Sequence, residues 1–577
     1  MKISENWLRT WVNPAIDSDT LSNQLTMLGL EVDEMTPAAK PFTGVVVGEI
    51  LTVEQHPDAD RLRVTTVNIG TTEPLQIVCG APNVYVGMKA PVATIGAVLP
   101  GDFKIKKGQL RGVESQGMLC GASEIDLIDK IDGLLELPLD APIGMDIRDY
   151  LNLDDHVIDI SITPNRGDCF SIRGIAREIA VINQLPLNLP TITAVAASIA
   201  DEKKVAVSTE GCPRYLGRVI KNINTKAVTP LWMEQALARS GIRQHSILVD
   251  ITNYVLIELG QPLHAFDAAK VQGTIQVRQA HAAEKLILLN EQEVELNPEI
   301  MVIADDEKIL AIAGIMGGLS SAVSESTTEI FLESAFFAPL AIAGRARRYG
   351  LHTDASQRYE RGVDFELPLL AMNRASQLIS ELAGGDFGPI TVVEDVARLP
   401  QRDAITLKQA QVDQLLGYAI AGEFIADALQ RLGCIVTVTA TGEWHVVPPS
   451  HRYDMAIYQD LIEEVARIDG YDNIQISLPV MDVMLAKHQD QFELPQLRQT
   501  LVTLGYQEAI SFSFADAKLE KQLNPAVHPL MLANPISSEL AAMRSTLLSS
   551  LIPCVQYNLN RQQNRVRFFE LGLRFDY

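Results

Sequence analysis

The sequence predicts a multidomain α+β protein, and three observations lead to this fold class. At 577 residues the chain is too long for one hydrophobic core, so we expect about three to five domains. Its content of 47% hydrophobic and 21% charged residues is typical of a soluble globular protein. Stretches with the alternation of β-strands and stretches with helical periodicity also follow one another along the chain.

The N-terminal part is predicted to form a split helical domain with a small β-barrel between its two segments. Residues 1–39 and 151–200 carry amphipathic helices and end in a Pro-rich linker; the helices are Ser4–Trp11, Ser18–Leu28 and Ser171–Asn183. Residues 40–150 consist of short β-rich runs separated by Gly, Pro, Asn and Asp, which is the pattern of a barrel. These runs are Val45–Leu51, Val64–Ile69, Gln76–Cys79 and Ala90–Ile95.

Three further segments follow. Residues 201–395 mix helices and strands, namely the helix Pro230–Arg239 and buried strands at Leu286–Leu289, Met301–Ala304 and Ile309–Ala313. Residues 400–476 read as a short α+β unit that contains the helix Tyr458–Ile468. Residues 480–577 begin a new domain with a helix at Leu494–Leu504 and predicted strands at Ala509–Phe514 and Arg565–Tyr577.

The cysteine pattern and the hydropathy indicate a reduced, cytoplasmic protein with no membrane contact. The six cysteines are scattered, with no CxxC pair and no His at zinc spacing, so we expect neither disulfides nor a zinc site. No apolar stretch is long enough to span a bilayer, and the charged N-terminus is unlike a signal peptide.

The charge distribution points to a local anionic partner. A net charge of −24 excludes a protein that holds nucleic acid with its whole surface. Between residues 345 and 361, however, five arginines stand against two acids; they are Arg345, Arg347, Arg348, Arg358 and Arg361, with Asp354 and Glu360. Together with Thr353 and Ser356 this mixture suits a pocket for the end of a nucleic acid. The alternative is a solvated arginine-rich helix with ordinary ion pairs.

Motifs along the whole chain occur in an order that resembles one family. They are Met1–Arg9, His56–Leu62, Val78–Val84, Ser115–Ala122, Ile162–Cys169, Asp250–Tyr254, Gln261–Asp267, Ala313–Gly318, Leu332–Ala335, Tyr349–Asp364, Pro449–Asp454, Asp460–Ile468 and Asn534–Leu548. This collinear set is similar to the β subunit of bacterial phenylalanyl-tRNA synthetase. The family's subunit continues beyond residue 577, so the resemblance implies a C-terminally truncated chain.

The resemblance implies a fold and a function for each segment. The barrel is expected to be an OB-type tRNA-binding module, and residues 201–395 a central mixed α/β editing domain. Residues 400–476 are expected to form a small winged-helix-like α+β domain, and residues 480–577 a partial class II synthetase-like antiparallel-sheet domain that is catalytically silent. The α subunit then charges tRNA(Phe) with Phe using ATP, in an α₂β₂ tetramer, while this chain hydrolyses mischarged Tyr-tRNA(Phe).

For the editing pocket, the resemblance implies six residues, with Asn253 close to them; they are Arg243, His264, Gly317, Glu333, Thr353 and Ala355. Reading one hydroxyl requires a buried polar partner, and the carboxylate of Glu333 is the expected reader. We expect His264 and Thr353 to order a water beside the ester, and Arg243 to hold the terminal adenosine or its phosphate. The alternatives are a capping histidine, a simple glycine turn and an ordinary charged residue at a strand end.

Four carboxylates are candidates for a magnesium site. Asp460, Glu463 and Glu464 are spaced for one helix face, and Asp454 lies just before that helix. The alternative is that these acids favour the helix dipole, with Asp454 as N-cap. In the family the four positions resemble a Mg²⁺ site at the boundary with the α subunit.

Two functions of other classes remain open. One is a non-enzymatic tRNA-binding or scaffold protein with an inactive pocket. The other is an RNA-binding module built around the barrel, where bases cluster although acids outnumber them across residues 40–150; the bases are Lys104, Lys106, Lys107 and Arg111.

Overall fold

The structure is a computed structural model that describes residues 1–127, 133–478 and 493–576. These residues belong to two compact units, Met1–Ile476 and Ser477–Tyr577. The predicted start of the last domain, at residue 480, lies outside the described residues. All six cysteines are free thiols. In the described ranges, no helix is long and apolar enough to cross a membrane.

The N-terminal region combines short helices, a three-stranded sheet and a barrel-like sheet. Its elements are β1 (Lys2–Ser4), α1 (Glu5–Trp11), α2 (Ser18–Met27), β2 (Glu31–Pro37), β3 (Thr43–Gln55), β4 (Arg63–Asn68), β5 (Leu75–Cys79), β6 (Lys89–Leu99), β7 (Phe103–Lys104), β8 (Gly108–Leu110), β9 (Val113–Ser115), β10 (Gly117–Leu119), α3 (Ile147–Tyr150), β11 (His156–Ser161) and α4 (Ile172–Asn183). The side chains of Ser4, Asp17 and Ser171 accept backbone N–H bonds at the starts of α1, α2 and α4, which explains where these helices begin.

Two sheets organise this region. Strands β1 and β2 flank β11 in an antiparallel sheet, so residues 1–37 and 156–161 form one layer although the barrel separates them in sequence. The barrel sheet has the antiparallel order β10-β6-β3-β4-β5. Its two ends meet, because the N–H of Gln116 donates to the carbonyl of Gln76 at 2.8 Å.

The central region contains two sheets and the longest helices. Its elements are β12 (Val205–Val207), β13 (Arg214–Lys221), α5 (Leu231–Arg239), α6 (Ile247–Leu259), β14 (Leu263–Asp267), β15 (Ile275–Gln279), β16 (Lys285–Ile287), β17 (Glu293–Glu295), β18 (Met301–Ala304), β19 (Ile309–Ile312), β20 (Met316–Gly317), β21 (Ile330–Phe336), α7 (Pro339–Ile342), α8 (Arg345–Arg348), α9 (Asp354–Arg361), α10 (Leu367–Leu382) and β22 (Asp386–Glu394). One sheet has the order β12-β15-β18-β19-β20, and the other the antiparallel order β14-β21-β13-β22.

Strand β21 separates two hydrophobic cores. All seven of its residues are buried. Leu332 belongs to the core formed with α4, α6 and α10, whereas Phe331 and Ala335 belong to the core formed with the other central sheet. Because side chains alternate along a strand, Glu333 must face the same side as Phe331 and Ala335. The sequence pattern thus directs one carboxylate into an otherwise apolar layer.

The remaining elements form a small α+β domain and the second unit. The small domain has β23 (Ile405–Lys408), α11 (Gln409–Leu416), α12 (Gly422–Arg431), β24 (Ile435–Ala440), β25 (Glu443–Val447) and α13 (Tyr458–Asp469), with the antiparallel order β23-β25-β24. The second unit has α14 (Leu494–Thr503), β26 (Gln507–Glu508), β27 (Phe514–Ala515), α15 (Ala517–Leu523), β28 (Ala542–Met543), α16 (Leu548–Leu559) and β29 (Phe568–Phe569).

The sequence predictions hold for the helices and the barrel strands but not for the two strands predicted in the second unit. All six predicted helices and all four barrel strands are present within a few residues of their expected bounds. The predicted strand Ala509–Phe514 is wrong, because only its last residue is in a strand, β27. Of the long strand predicted from residue 565, the described residues contain only β29. Further along, the guanidinium of Arg544 donates to the carbonyl of Leu573, and the carbonyl of Arg544 accepts from the N–H of Phe575, so these groups do not pair with a neighbouring strand.

Candidate functional site

A cavity of about 270 Å³ lies where the two central sheets meet the start of α9. Six of the seven residues expected in the editing pocket line this cavity: Asn253, His264, Gly317, Glu333, Thr353 and Ala355. They come from the middle of α6, strands β14, β20 and β21, and the N-cap and first turn of α9. Five separate segments of the sequence therefore converge on one cavity.

Strand pairing explains why His264 and Glu333 meet. The two residues are directly opposite each other in the antiparallel register of β14 and β21. Directly opposed side chains on adjacent strands share a face, with Cβ atoms roughly 5 Å apart. The two motifs are almost 70 residues apart in sequence, yet the pairing makes them neighbours on the face that the cavity opens onto.

Glu333 is a buried carboxyl group with one strong partner. It is only 6% exposed, and its Oε2 accepts the hydroxyl proton of Tyr215 at 2.7 Å. Burial raises the pKa of Glu333 to about 8, although the Tyr215 hydrogen bond acts in the opposite direction. At neutral pH the group is therefore mainly a neutral acid that can both donate and accept a hydrogen bond.

His264 is a half-buried imidazole with one fully buried ring nitrogen. Burial lowers the pKa of His264 to about 4, so the ring is neutral at physiological pH. Within the described chain, its Nε2 has no hydrogen-bond partner. A buried polar atom without a partner is costly, so this nitrogen indicates a site for a water molecule or a ligand.

Gly317 provides the room that the imidazole needs. A Cβ atom at this position would lie 2.5 Å from Cε1 and 2.8 Å from Nε2 of His264. Real Cβ atoms do not approach other atoms this closely, so any larger residue would displace the ring. Gly317, for which a simple turn was the alternative, thus has a specific packing role beside His264.

Thr353 does not have the free hydroxyl that we expected for ordering water. Its Oγ1 donates to the carbonyl of Ile315 at 2.9 Å and accepts from the N–H of Ser356 at 3.1 Å. The residue is the N-cap of α9, in a capping box with Ser356. Its hydroxyl proton is therefore committed, and its main effect is to fix the first turn of α9, with Ala355, against the cavity.

The arginines do not form the single basic pocket that the charge pattern indicated. Arg358 is buried and bonds Asp354 and the carbonyl of Phe170, Arg361 bonds the carbonyl of Ile162, and Arg348 pairs with Glu299. These contacts favour the alternative of an arginine-rich segment with ordinary ion pairs. Two of the arginines, Arg358 and Arg361, also connect α9 to the N-terminal region. Arg243 is exposed before α6 and does not line the cavity.

The sequence analysis missed three residues around the carboxylate. They are Tyr215, which bonds Glu333, and the pair Gln261 and Tyr359, which bond each other at 3.1 Å beside the cavity. Strand alternation places Tyr215 on the inner face, but nothing in its local sequence distinguishes it from a core tyrosine. The sequence offered only an indirect signal for Tyr215: if the carboxylate of Glu333 is buried, some other residue must donate a hydrogen bond to it.

The four carboxylates proposed for magnesium do not form one group. Arg452 donates to both oxygens of Asp454 and to both oxygens of Glu464, at 2.7–2.9 Å. Asp460 accepts the N–H groups of Ala456 and Ile457 at the start of α13. Asp460, and not Asp454, therefore caps this helix. These observations do not fit a four-carboxylate ion site, because Arg452 already neutralises two of the acids.

Arg452 belongs to a buried chain of alternating charges. The order of contacts is Asp168, Arg166, Glu178, Arg467, Glu464, Arg452 and Asp454. The chain joins the segment around α4 to the helix α13 of the small domain. Asp168, Cys169 and Glu178 are close enough to hold a metal ion, but Arg166 donates to all three and occupies that position.

The barrel has a second cavity, of about 660 Å³. Lys104, Lys106 and Lys107 line it beside Phe103, which is 59% exposed. Lys107 pairs with Glu114. The neighbouring Arg111 donates to the carbonyl of Asp58 and is outside the lining. Exposed lysines next to an exposed aromatic ring are typical of surfaces that contact single-stranded nucleic acid.

Family models match four parts of the chain. The putative tRNA binding domain matches residues 45–146, the B3/4 domain residues 211–384, the tRNA synthetase B5 domain residues 405–471, and the phenylalanyl tRNA synthetase beta chain CLM domain residues 474–576. The cavity residues from Asn253 to Ala355 all lie inside the B3/4 match.

Curated relatives are similar over the full length of the chain. The phenylalanine–tRNA ligase beta subunit of Acinetobacter baylyi is 78% identical over 577 residues, and that of Psychrobacter arcticus is 60% identical over 585 residues. Each alignment covers 100% of this chain and 73% of the relative. A solved N-terminal fragment of the phenylalanyl-tRNA synthetase β-subunit from Pyrococcus horikoshii is 12% identical over 81% of this chain and 99% of that one, with a TM-score of 0.34. On the strength of the full-length identities, the chain belongs to the phenylalanine–tRNA ligase beta subunit family.

Proposed function

We propose that the cavity at residues 253–355 hydrolyses the ester bond of tyrosine that has been attached to tRNA(Phe) by mistake. In this proposal the chain also supports the ATP-dependent charging of tRNA(Phe) with phenylalanine by an α subunit. The observation that carries the proposal is the pair His264 and Glu333: one buried nitrogen and one buried carboxyl group, side by side on a cavity wall.

The cavity suits the side chain of an aromatic amino acid. Its volume of about 270 Å³ is near the lower end of the range for ligand pockets, roughly 300–1,000 Å³. Leu263, Ile315 and Met316 supply apolar walls, and Gly317 and Ala355 keep the space open. A ring with a para-hydroxyl directed at Glu333 would bury its carbon atoms and pair its oxygen.

The chemistry of Glu333 favours tyrosine over phenylalanine. A phenolic hydroxyl can donate to the ionised carboxylate or accept from the neutral acid. A phenylalanine ring would leave the carboxyl oxygen unpaired in an apolar site, and such unpaired groups reject an analogue strongly. The site therefore removes tyrosine esters and spares phenylalanine esters, which is the selectivity that editing requires.

His264 is the proposed water-binding residue. Its neutral Nε2 has no partner in the described chain and can accept or donate one hydrogen bond to a water beside the ester. Thr353 contributes by holding the first turn of α9 in place, since its own proton is engaged. With a pKa of about 4, His264 is a weak base, so it is expected to orient the water and not to remove a proton fully.

The finer domain roles are proposals as well. The barrel is proposed to be an OB-type module that makes an auxiliary RNA contact through Lys104 and Lys106. Residues 400–476 are proposed to be winged-helix-like, and the second unit to be a partial, catalytically silent class II synthetase-like domain that packs on an α subunit in a cytoplasmic α₂β₂ tetramer. Of the four candidate carboxylates for Mg²⁺, Asp460 and Glu463 are the two without an arginine partner among the described residues, so they are the proposed ligands at the α boundary.

The experiment is a deacylation assay with the full chain, alone and with its α partner. We expect hydrolysis of Tyr-tRNA(Phe) but not of Phe-tRNA(Phe), and loss of that hydrolysis in Glu333→Ala and in His264→Ala. Glu381→Ala, an exposed acid on α10, is the control that should retain activity. Equal hydrolysis in the two cavity variants and the wild type would contradict the site.

The same assay separates the two alternatives. If the chain is a scaffold with an inactive pocket, Tyr-tRNA(Phe) should be hydrolysed no faster with the protein than in buffer alone. A chain that acts mainly through the barrel would lose most tRNA affinity when Lys104, Lys106 and Lys107 are changed to Ala in the full chain. Our proposal expects only a modest loss of affinity in that triple variant.

A further inference from the structure

Tyr215 is the hydrogen-bond donor that holds Glu333. It lies on β13, opposite Ala335 of β21 and therefore diagonal to Glu333 on the same face of the sheet. Gly217 occupies the position directly opposite Glu333, where an added Cβ would meet the ring of Phe331 at 2.1 Å. The neighbour with a polar side chain on this side of the carboxyl group is thus Tyr215, fully buried, at 2.7 Å.

This hydrogen bond makes the two oxygens of Glu333 unequal. Oε2 is taken by Tyr215, whereas Oε1 has no hydrogen-bond partner among the described residues. Burial and the nearby carboxylate raise the pKa of Tyr215 well above its usual value, so its hydroxyl keeps its proton and remains a donor. Oε2 consequently acts as an acceptor in both protonation states of Glu333, and Oε1 is the oxygen available to a ligand.

We propose that Tyr215 is a positioning residue that determines tyrosine specificity, because it fixes Glu333 with Oε1 directed to the para-hydroxyl of the bound amino acid. The inference rests on the editing function proposed above and assigns to it a residue outside the cavity lining. Tyr215 does not touch the reacting atoms. It acts by preventing Glu333 from rotating and by satisfying the oxygen that the substrate does not use.

The pH dependence of specificity reports on this contact. The titratable groups around Glu333 are Tyr215 and Cys212 near β13, His264 on β14, and Asp354 and Tyr359 on α9. His264 is already neutral above pH 6.5, since its pKa is about 4, and burial keeps the pKa of Cys212 and Tyr359 well above their usual values. Compared with the shifted pKa values of these four neighbours, that of Glu333 is the one near 8.

The experiment compares wild type with Tyr215→Phe, which removes one hydroxyl and keeps the ring. The readout is kcat/KM for Tyr-tRNA(Phe) divided by kcat/KM for Phe-tRNA(Phe), from pH 6.5 to 9, with the full chain and its α partner. The ratio cancels effects of the amino group and of ester reactivity. In the wild type we expect the ratio to rise through a midpoint near 8, because the carboxylate is the stronger acceptor.

For Tyr215→Phe we expect three changes. The KM for Tyr-tRNA(Phe) rises about tenfold while kcat stays within about twofold, as for the loss of one hydrogen bond made before the chemical step. The midpoint of the ratio moves to higher pH, because the Tyr215 bond that favours the charged form is gone. Hydrolysis of Phe-tRNA(Phe) does not increase more than twofold.

Two controls make the outcome decisive. Tyr453→Phe likewise removes one tyrosine hydroxyl, but this hydroxyl donates to the backbone carbonyl of Val363, so the ratio and its midpoint should not change. In a Glu333→Ala background, which removes the acceptor of the Tyr215 hydroxyl, Tyr215→Phe should change the ratio little, since it acts through Glu333. A Tyr215→Phe protein with the wild-type ratio and midpoint would overturn this inference while leaving the editing function intact. A wild-type protein that does not hydrolyse Tyr-tRNA(Phe) would overturn both.

Discussion

His264 and Glu333 are directly opposite each other on β14 and β21, with His264 neutral and Glu333 poised near pH 8. The carboxyl group of Glu333 and the Nε2 atom of His264 are buried for the same reason, because the strand face that carries them is packed against a second layer of structure. Their pKa values move in opposite directions from the ordinary ones, since burial disfavours a charge of either sign. The pair is thus polar but largely uncharged at pH 7, which suits recognition of a neutral phenol.

Substitution of Gly317 should impair the site without unfolding the protein. In Gly317→Ala the new methyl group would lie 2.5 Å from Cε1 of His264, so the imidazole must move. We expect hydrolysis of Tyr-tRNA(Phe) to fall by about ten- to a hundredfold, as for other displacements of a positioned group by about 1 Å. Gly108→Ala is the matched control, because its new Cβ makes only one contact, at 3.9 Å.

Variants of Thr353 should separate its capping role from a direct catalytic one. Thr353→Val removes the cap of α9 and the bond to Ile315, and should cost about 0.5–2 kcal/mol of stability. Thr353→Ser keeps the hydroxyl and should retain both stability and hydrolysis. Thermal unfolding and deacylation rates check the two variants. A Thr353→Val protein with normal stability but no hydrolysis would instead assign the hydroxyl to the reaction.

The free energy of unfolding should decrease as pH rises, because Glu333 has a raised pKa in the folded protein. Its folded-state pKa is about 8 and its ordinary value 4.5, so between these values the folded protein holds a proton that the unfolded chain has lost. The free energy of unfolding must then decrease with increasing pH, by at most about 1.4 kcal/mol per pH unit. Burial of His264 has the opposite effect, but only between about pH 4 and 6.5.

Comparison of the wild type with Glu333→Gln between pH 6.5 and 8 isolates the Glu333 contribution. Over this interval the wild type should lose up to about 2 kcal/mol relative to the variant, which cannot ionise. Denaturant titrations at several pH values measure the difference. Parallel pH curves for the two proteins would show that Glu333 is not desolvated in solution.

The buried charge chain should be sensitive to the loss of a single member. Glu464 accepts hydrogen bonds from Arg452 and Arg467, so Glu464→Gln leaves two buried guanidinium groups without a full counter-charge. We expect a loss of about 3–5 kcal/mol, which is typical when one partner of a buried ion pair is removed. Glu463→Gln changes the adjacent exposed acid and should stay within about 0.5 kcal/mol of wild type.

Magnesium titration with the same two variants tests the proposed ligands. Glu463→Gln should weaken Mg²⁺ binding by the assembled subunits, whereas the arginine-paired Glu464 should matter through stability alone. If Glu464→Gln lost as much magnesium affinity as Glu463→Gln and kept its stability, the result would support a site formed by all four carboxylates.

Local sequence signals predicted the helices well, because their starts are set by nearby residues. Ser4, Asp17 and Ser171 each cap a helix within three residues of their own position. The strand Ala509–Phe514 failed for the opposite reason, since a strand requires a partner that local sequence does not specify. Among the described residues, Ile510 and Phe512 remain largely exposed.

The site was predictable in its membership but not in its chemistry. The resemblance to a known family pointed to His264, Gly317 and Glu333 as pocket residues, and the structure brings these residues together. The committed proton of Thr353 and the Tyr215 bond to Glu333 depend on contacts across 38 and 118 positions of sequence, which no motif displays. Arg452 likewise altered the interpretation of the carboxylates, because an arginine two residues from Asp454 also reaches Glu464.

The central claim is that Glu333 reads the para-hydroxyl of a misplaced tyrosine. The most direct measurement is the ratio of kcat/KM for Tyr-tRNA(Phe) to that for Phe-tRNA(Phe) in wild type and in Glu333→Ala. We predict that the variant loses at least about a hundredfold of this ratio, mainly through KM for the tyrosine ester, because the carboxyl group that hydrogen-bonds the para-hydroxyl is gone. An unchanged ratio in a folded Glu333→Ala protein would contradict the account.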